Sequence, residues 1–443
     1  MKVPNQYAWL YGMLFVLLLV AVPHAGHDAD VACWNRWAQY TFGHGLPNAY
    51  AAENNNYNPI YNYVLWLYGL LMGSSQKIWH YQHLLKSFTL LFDFAGALLV
   101  SRLAAKAVAE RRFKLSLLLL FNIGYLYNTL IWEQVDAIHT FFAVAAAVLA
   151  VRQRLTASML LFVLALNMKT QAIIFLPPLL LLWAPQWLRR GVGPSAASLA
   201  AMLLLQTAIL APFVFFAERS ALPWLLQINF KAAETYPYVT LNAHNMWSVL
   251  NHDGPLRVLS NYADTTVGAA GLTYRHWGLV LFFGASAVAL FPLLMLMVRG
   301  YLTRRWPDTK PEQALVLLSF GLVAVLFTYF STQMHERYWH PALLFLAGHA
   351  MLTRRYWLFA LFSVAYPLQL EVVLRYVGLK NYGIAVLHPY FIAGLFTIIL
   401  IGAFVELYRL AAVPMLLRDI WPGPRSVLQE ARLAPAATSR PAE

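Results

Sequence analysis

The apolar positions of this chain come in long, uninterrupted blocks. Runs such as Leu115–Leu120 and Leu179–Trp183 recur along almost its whole length. A block of about 20 apolar residues crosses a bilayer as a helix, and shorter blocks do so where a helix is broken or the bilayer is thin. Segmented on that basis, the sequence predicts about twelve helical spans. They lie near 7–23, 83–105, 115–131, 135–151, 155–168, 172–187, 196–217, 276–298, 313–331, 339–352, 356–374 and 388–408. Lys2 followed by the apolar Tyr7–Val22 has the outline of a signal peptide. Its length and the many spans behind it predict instead an uncleaved first helix. The expected fold class is an all-α polytopic membrane protein, with a transmembrane domain over 1–420 and a flexible Pro-, Ala- and Arg-containing cytoplasmic tail over 421–443.

Composition narrows the class further. Of 443 residues, 60% are hydrophobic and 12% charged, against about 25% charged in an average soluble domain. Disorder is excluded, because it needs low hydrophobicity. The single cysteine, Cys33, excludes an internal disulfide framework and any cysteine-cluster metal site. A net charge of +13 raises the question of nucleic acid. The cations, however, sit in short clusters between apolar blocks and form no basic stripe on a recognition module, so no nucleic-acid partner is expected.

Those clusters set an orientation. Arg102, Lys106, Arg111, Arg112 and Lys114 fall in one loop, Arg152 and Arg154 in another, and Arg189 and Arg190 in a third. Arg299, Arg304, Arg305 and Lys310 follow, then Arg354 and Arg355, then Arg409 and Arg418. With twelve spans, every cluster lies on the same side, as the positive-inside rule requires of the cytoplasmic face. Both termini are then cytoplasmic. The opposite face receives two long loops, about 24–82 and 218–275. The first is rich in Asn, Tyr and Trp, and its apolar stretch Asn62–Met72 has the length of an interfacial helix lying on the outer leaflet.

The residues able to do chemistry gather on that outer face. Asp28 and Asp30 follow the first span; either carboxylate is a candidate general base for a hydroxyl nucleophile, and either could simply cap the helix that starts near Val31. Trp132-Glu133-Gln134-Val135-Asp136 and His139 stand where two spans meet, and acids there require partners or water. They match no metal-ligand signature. Lys169-Thr170-Gln171 breaks the positive-inside pattern, which points to an anionic partner, either lipid phosphate or carboxylate. Met334-His335-Glu336-Arg337-Tyr338 joins a histidine, an acid and an arginine whose fork suits bidentate phosphate recognition. A salt bridge from Glu336 to Arg337, or an arginine reaching to a headgroup, accounts for it equally well.

Taken together these pieces resemble the GT-C superfamily of membrane glycosyltransferases, specifically the bacterial relatives of the mannosyltransferase that adds the second mannose to GPI anchors. The likeness is carried by Asp30-x6-Trp37-Ala38, Tyr57-Asn58-Pro59-x-Tyr61, Trp132-Glu133-Gln134-Val135-Asp136, Lys169-Thr170-Gln171 with Pro177, Asn242-Ala243-His244-Asn245-Met246-Trp247, and Met334-His335-Glu336-Arg337-Tyr338. It departs from the family at Glu133, where relatives usually have Gly, and at Asn58 and Ile60 around Pro59. The resemblance implies inverting, metal-independent transfer of a hexose, without a cofactor, from a polyprenyl-phosphate sugar to an extracytoplasmic glycan or lipid acceptor. It implies Asp30 as base, with Asp28 its rival, and Arg337, His335 and Lys169 on the donor phosphate. Gln134, Asp136, Gln171 and Glu336 would line the site or support these groups, and Asn242 and Asn245 would line it. The implied location is the bacterial inner membrane, amid its lipids. A lipid-linked sugar transporter and a glycan polymerase or ligase are the competing classes.

Overall fold

The computed structural model describes residues 5–22, 26–231, 236–250 and 262–420; the expected tail 421–443 lies outside them. The described residues are all-helical, with a few isolated β-bridges and no strand. Each of the twelve apolar segments overlaps a helix. Seven helices are long and apolar enough to cross a membrane: Gln82–Ala104, Thr170–Arg190, Val192–Phe215, Tyr274–Leu302, Lys310–Phe330, Trp357–Leu374 and Pro389–Ile420. Ala109–Leu120 and Ile123–Ile131, bent by 66° at their junction, make an eighth if counted as one span. Gln6–Ala21, Asp136–Val151 and Leu155–Met168 are apolar but shorter. The remaining segment, 339–352, forms the helix His340–Thr353, buried through nearly its whole length.

Helices Lys310–Phe330 and His340–Thr353 form the centre and pack against each other, with Lys86–Ala104 and Asp136–Val151 beside them. Small residues let these backbones approach, as they do in helix packing within lipid. A side chain at Gly348 would meet Leu317 at 2.8 Å and Val100 at 3.4 Å, and one at Gly96 would meet Leu344 and Tyr125 at 2.9 Å. The outer helices turn apolar side chains outward instead, among them Trp9, Met13, Val16 and Val20 of the first helix and Leu203 and Leu204 of Val192–Phe215. Such exposure is unstable in water and suits acyl chains.

The long first loop is itself folded. Asp28–His44 and Pro59–Met72 pack together, with the short helix Ser75–His80 against both. Pro59 occupies the first helical position, where a missing N–H is harmless. Gly73, with φ of 71°, ends the helix by donating its N–H to the Gly69 carbonyl. Tyr61, Leu65 and Tyr68 are buried, whereas Leu67, Leu70 and Leu71 are exposed.

The break after Leu120 sets up the site. Asn122 accepts from the Tyr125 N–H at 3.0 Å and restarts the helix. The chain then passes through a wide turn at Tyr127–Ile131, reverses at Glu133, and enters Asp136–Val151. Close packing at the centre generates a test. Gly348→Leu should lower stability by about 1–3 kcal/mol through overpacking, read as a lower melting temperature in detergent. The same change at Gly12, which has open space around it, should leave the melting temperature unchanged.

Candidate functional site

The first loop hangs on the 127–135 turn. Gly26 donates its N–H to the Ile131 carbonyl at 2.8 Å, and His27 donates to that of Trp132 at 3.2 Å. The His27 ring stacks on Trp132, with centroids 5.9 Å apart and planes 11° from parallel. Helix Asp28–His44 starts there, and the Gln134 side-chain amide donates to Asp30 Oδ2. His27 Nδ1 lies 3.5 Å from the same oxygen. Of the two candidate bases, Asp30 is therefore tied into the bundle, whereas Asp28 is exposed.

The second tier is ionic. Lys169 Nζ pairs with Asp136 Oδ1, and Asn128 donates to Asp136 Oδ2 at 3.3 Å. The anionic partner demanded by the out-of-pattern lysine is thus a protein carboxylate. His139 lies at 4.0 Å from Asp136, and Gln171 Nε2 is 3.2 Å from His139 Nε2. Asn58 joins the two loops to this tier: it donates to Thr170 at 2.9 Å and accepts from Asn229 at 3.1 Å.

The third tier is the 331–339 loop. Its hold comes from the 236–248 segment, where Leu241 and Ala243 donate their N–H groups to the Met334 carbonyl at 3.0 and 3.2 Å. Asn245 Nδ2 donates to the Thr328 carbonyl at 2.9 Å, and Trp247 Nε1 to that of Phe330 at 2.8 Å. Gln369 donates to the Asn242 carbonyl at 2.9 Å. Asn242 itself adopts a left-handed φ of 70°, which Asn tolerates better than most residues. Asn242 and Asn245, expected to line the site, stand in the segment that holds this loop. On the other flank, buried Asp264 takes two hydrogen bonds from Arg275 at 2.9 Å, one from Thr332 at 3.0 Å and one from Gln333 at 2.7 Å.

Held this way, Arg337 is largely buried. Its Nη1 donates to Glu336 at 3.0 Å, while its Nε has no hydrogen-bond partner among the described residues. Burial lowers the guanidinium's hold on its proton, but Glu336 and then Asp30 more than offset it, so its pKa stands above the ordinary arginine value. Burial pushes Glu336 up, opposed chiefly by Arg337. Burial, with Arg337 and Lys169, holds His335 well below the usual imidazole range. At neutral pH His335 is thus uncharged, and it offers a hydrogen bond rather than a positive charge. Tyr57, packed edge-on against Trp34, feels both Asp30 and Arg337; burial and then Asp30 raise its pKa.

Asp30, Gln134, Asp136, Lys169, Gln171, His335, Glu336 and Arg337 therefore meet at one end of the bundle, from four separate stretches of chain. The sequence reading missed Tyr57 as a neighbour of both Asp30 and Arg337. It also missed a buried cluster beside the turn. Lys86 Nζ lies 3.2 Å from Glu133 Oε1, and His83 Nδ1 lies 2.9 Å from Glu133 Oε2. The local signal was Lys86 alone, a cation near the head of an apolar block that needs an anion, a carbonyl or the headgroup layer, and it did not name Glu133. Asn35, Gln82, Lys86 and Glu133 border a narrow cavity between the first-loop helix and the bundle. Among the described residues, no three His, Cys, Asp or Glu side chains are grouped as metal ligands would be. No protein-family model matches the chain, and no curated protein sequence matches it.

The second tier yields a test. Asp136 is fully buried, so Lys169→Met should cost about 3–5 kcal/mol by leaving its charge unpaired. The Lys169→Met/Asp136→Asn double variant should recover most of that. Thermal unfolding in detergent measures both, and equal melting temperatures for the single and double variants would contradict the pairing.

Proposed function

We propose that this chain is an integral-membrane glycosyltransferase of the GT-C kind, moving a hexose from a polyprenyl-phosphate donor to an extracytoplasmic glycan or lipid. The observation carrying the reading is Arg337, a buried guanidinium that gives Nη1 to Glu336 and whose Nε has no hydrogen-bond partner among the described residues, within the electrostatic reach of Asp30. A cation with donors left over suits a phosphate leaving group, and a carboxylate across from it suits a hydroxyl nucleophile.

In this reading the acceptor oxygen attacks the anomeric carbon as its proton passes to Asp30. The bond from that carbon to the phosphate oxygen breaks, and its electron pair leaves with the phosphate. The configuration inverts. Arg337 stabilises the charge growing on the phosphate, where preorganised donors contribute most. Lys169 adds positive charge nearby although it is already paired with Asp136, and neutral His335 adds a hydrogen bond. Gln134 aims Asp30, while Gln171, Asp136 and Glu336 hold the surrounding charges in place. The twelve-span topology, with both termini cytoplasmic and this end facing outward in a bacterial inner membrane, is the arrangement that puts donor lipid and site on one side. It is supported by the cation clusters falling on one face.

The test is transfer in proteoliposomes from polyprenyl-phosphate-linked mannose to a cell-envelope extract, followed by mass spectrometry of the products. Asp30→Asn should abolish transfer with normal insertion, and Arg337→Lys should slow it by about 10²–10³-fold. Asp28→Asn should change it little. Full transfer by Asp30→Asn would remove Asp30 as the base. Lipid-linked sugar crossing the bilayer with no new glycosidic bond would replace the whole reading with a transporter.

A further inference from the structure

We propose that Lys86 and Glu133, with His83, are positioning residues that hold Asp30 in place through the 130–134 turn. Lys86 stands in the first turns of the membrane-length helix Gln82–Ala104, and its side chain is wholly inaccessible. It donates to the Leu130 carbonyl at 3.0 Å and to Glu133 Oε1 at 3.2 Å. The two acceptors bracket the carbonyls of Ile131 and Trp132, which receive Gly26 and His27. Gln134, which donates to Asp30, is the next residue along. One ammonium group thus fixes both ends of the segment on which the first loop hangs.

Glu133 shows why the cluster exists. Its φ is 64°, in the left-handed region that glycine adopts freely and a glutamate does not. A glutamate persists there only where the surroundings over-determine it. Its carboxylate is nearly inaccessible and is held on one oxygen by Lys86 and on both by His83. It also lies against Gly26, where an added Cβ would come within 3.3 Å of Oε2. Turn, carboxylate and entering loop are therefore locked to one another. Displacing Glu133 moves Gln134, and with it the hydrogen bond that aims Asp30.

What Asp30 does rests on the transferase reading; where Asp30 sits does not, so the test has two arms. Lys86→Met leaves the Glu133 carboxylate only His83, and Glu133→Gly leaves the buried Lys86 ammonium without an acid. The double variant Lys86→Met/Glu133→Gly leaves neither charge, and its glycine fits the left-handed turn. Amide exchange by mass spectrometry, on full-length protein in detergent, should quicken several-fold over 26–34 in each single variant and return towards wild type in the double. Exchange in the central helix His340–Thr353 should stay unchanged, which separates loss of position from loss of stability. In the transfer assay the singles should lose at least tenfold in kcat with little change in KM for the lipid donor, and the double should recover it. Glu133→Gln, which keeps the side chain's shape but loses the charge and turns one acceptor oxygen into a donor, covers the case in which a single variant does not fold, and it should shift exchange over 26–34 in the same direction. Wild-type exchange in Glu133→Gln, or a double variant no better than the singles, would overturn the proposal. If the wild-type protein transfers no sugar, the exchange arm still decides the positioning and only the transferase reading fails.

Discussion

Where the chain breaks its helix between Leu120 and Asp136, main-chain groups lose their helical partners inside an apolar bundle, and satisfying them organises the site end of the molecule. Unpaired backbone groups are too costly in such surroundings to remain so. The turn closes part of the account itself, with Trp132 donating to the Tyr127 carbonyl at 2.9 Å and Gln134 to that of Asn128 at 2.8 Å. The carbonyls of Leu130, Ile131 and Trp132 are answered from outside, by Lys86, Gly26 and His27. The first loop is thereby bound to the bundle by the same groups that the break exposes. A helix continuing straight through 121–135 would need no such loop, and Asp30 would have nothing to rest on.

The same constraint governs the charges. Asp136 with Lys169, Glu336 with Arg337, Asp264 with Arg275 and Glu133 with Lys86 each pair a buried acid with a base. Removing one member of such a pair is far costlier than the pair's net contribution. Asp30 differs in kind. It accepts from a neutral amide, has His27 at 3.5 Å, and remains about a quarter exposed. A carboxylate tied to an amide and partly exposed keeps its direction with an edge open to a hydroxyl, whereas Asp136 and Glu336 are closed against a base and buried. That contrast singles out Asp30 among the acids at this end, independently of any family likeness.

Much of this was legible in the sequence, because apolar blocks and charge clusters are local signals. The blocks overlap helices throughout, and the four stretches flagged for chemistry converge. What was not legible is pairing across distance. Lys169 announced that it needed an anion, but nothing local named Asp136 rather than a lipid phosphate. The Lys86–Glu133–His83 cluster joins residues 47 and 50 positions apart, and Glu133 read as a departure from the family's Gly rather than as a locked turn. Asn242 and Asn245 read as lining residues because a motif records identity and not direction; the Asn242 carbonyl accepts from Gln369 and the Asn245 amide donates to the Thr328 carbonyl, contacts that no local pattern named. The glycine expected at 133 does have a physical correlate, since the backbone there is left-handed.

The distribution of charge also bears on transport. Carriers place functional charges near the bilayer midplane. Here Asp93 is the residue that invites comparison, buried seven positions into the helix that Lys86 begins, about 10 Å along its axis. Tyr125 donates to its main-chain oxygen at 3.1 Å, and Thr129 lies beside its carboxylate. Tyr125 in turn stacks on His340, 5.4 Å away, and crowds Gly96 one turn further on. Asp93 therefore sits in close-packed surroundings among the central helices, where moving a solute past it would require those helices to separate. Lys169 with Asp136, Arg337 with Glu336, and the partly exposed Asp30 lie instead where helices end. That distribution suits the proposed transfer at a membrane surface better than passage of a sugar through the bundle.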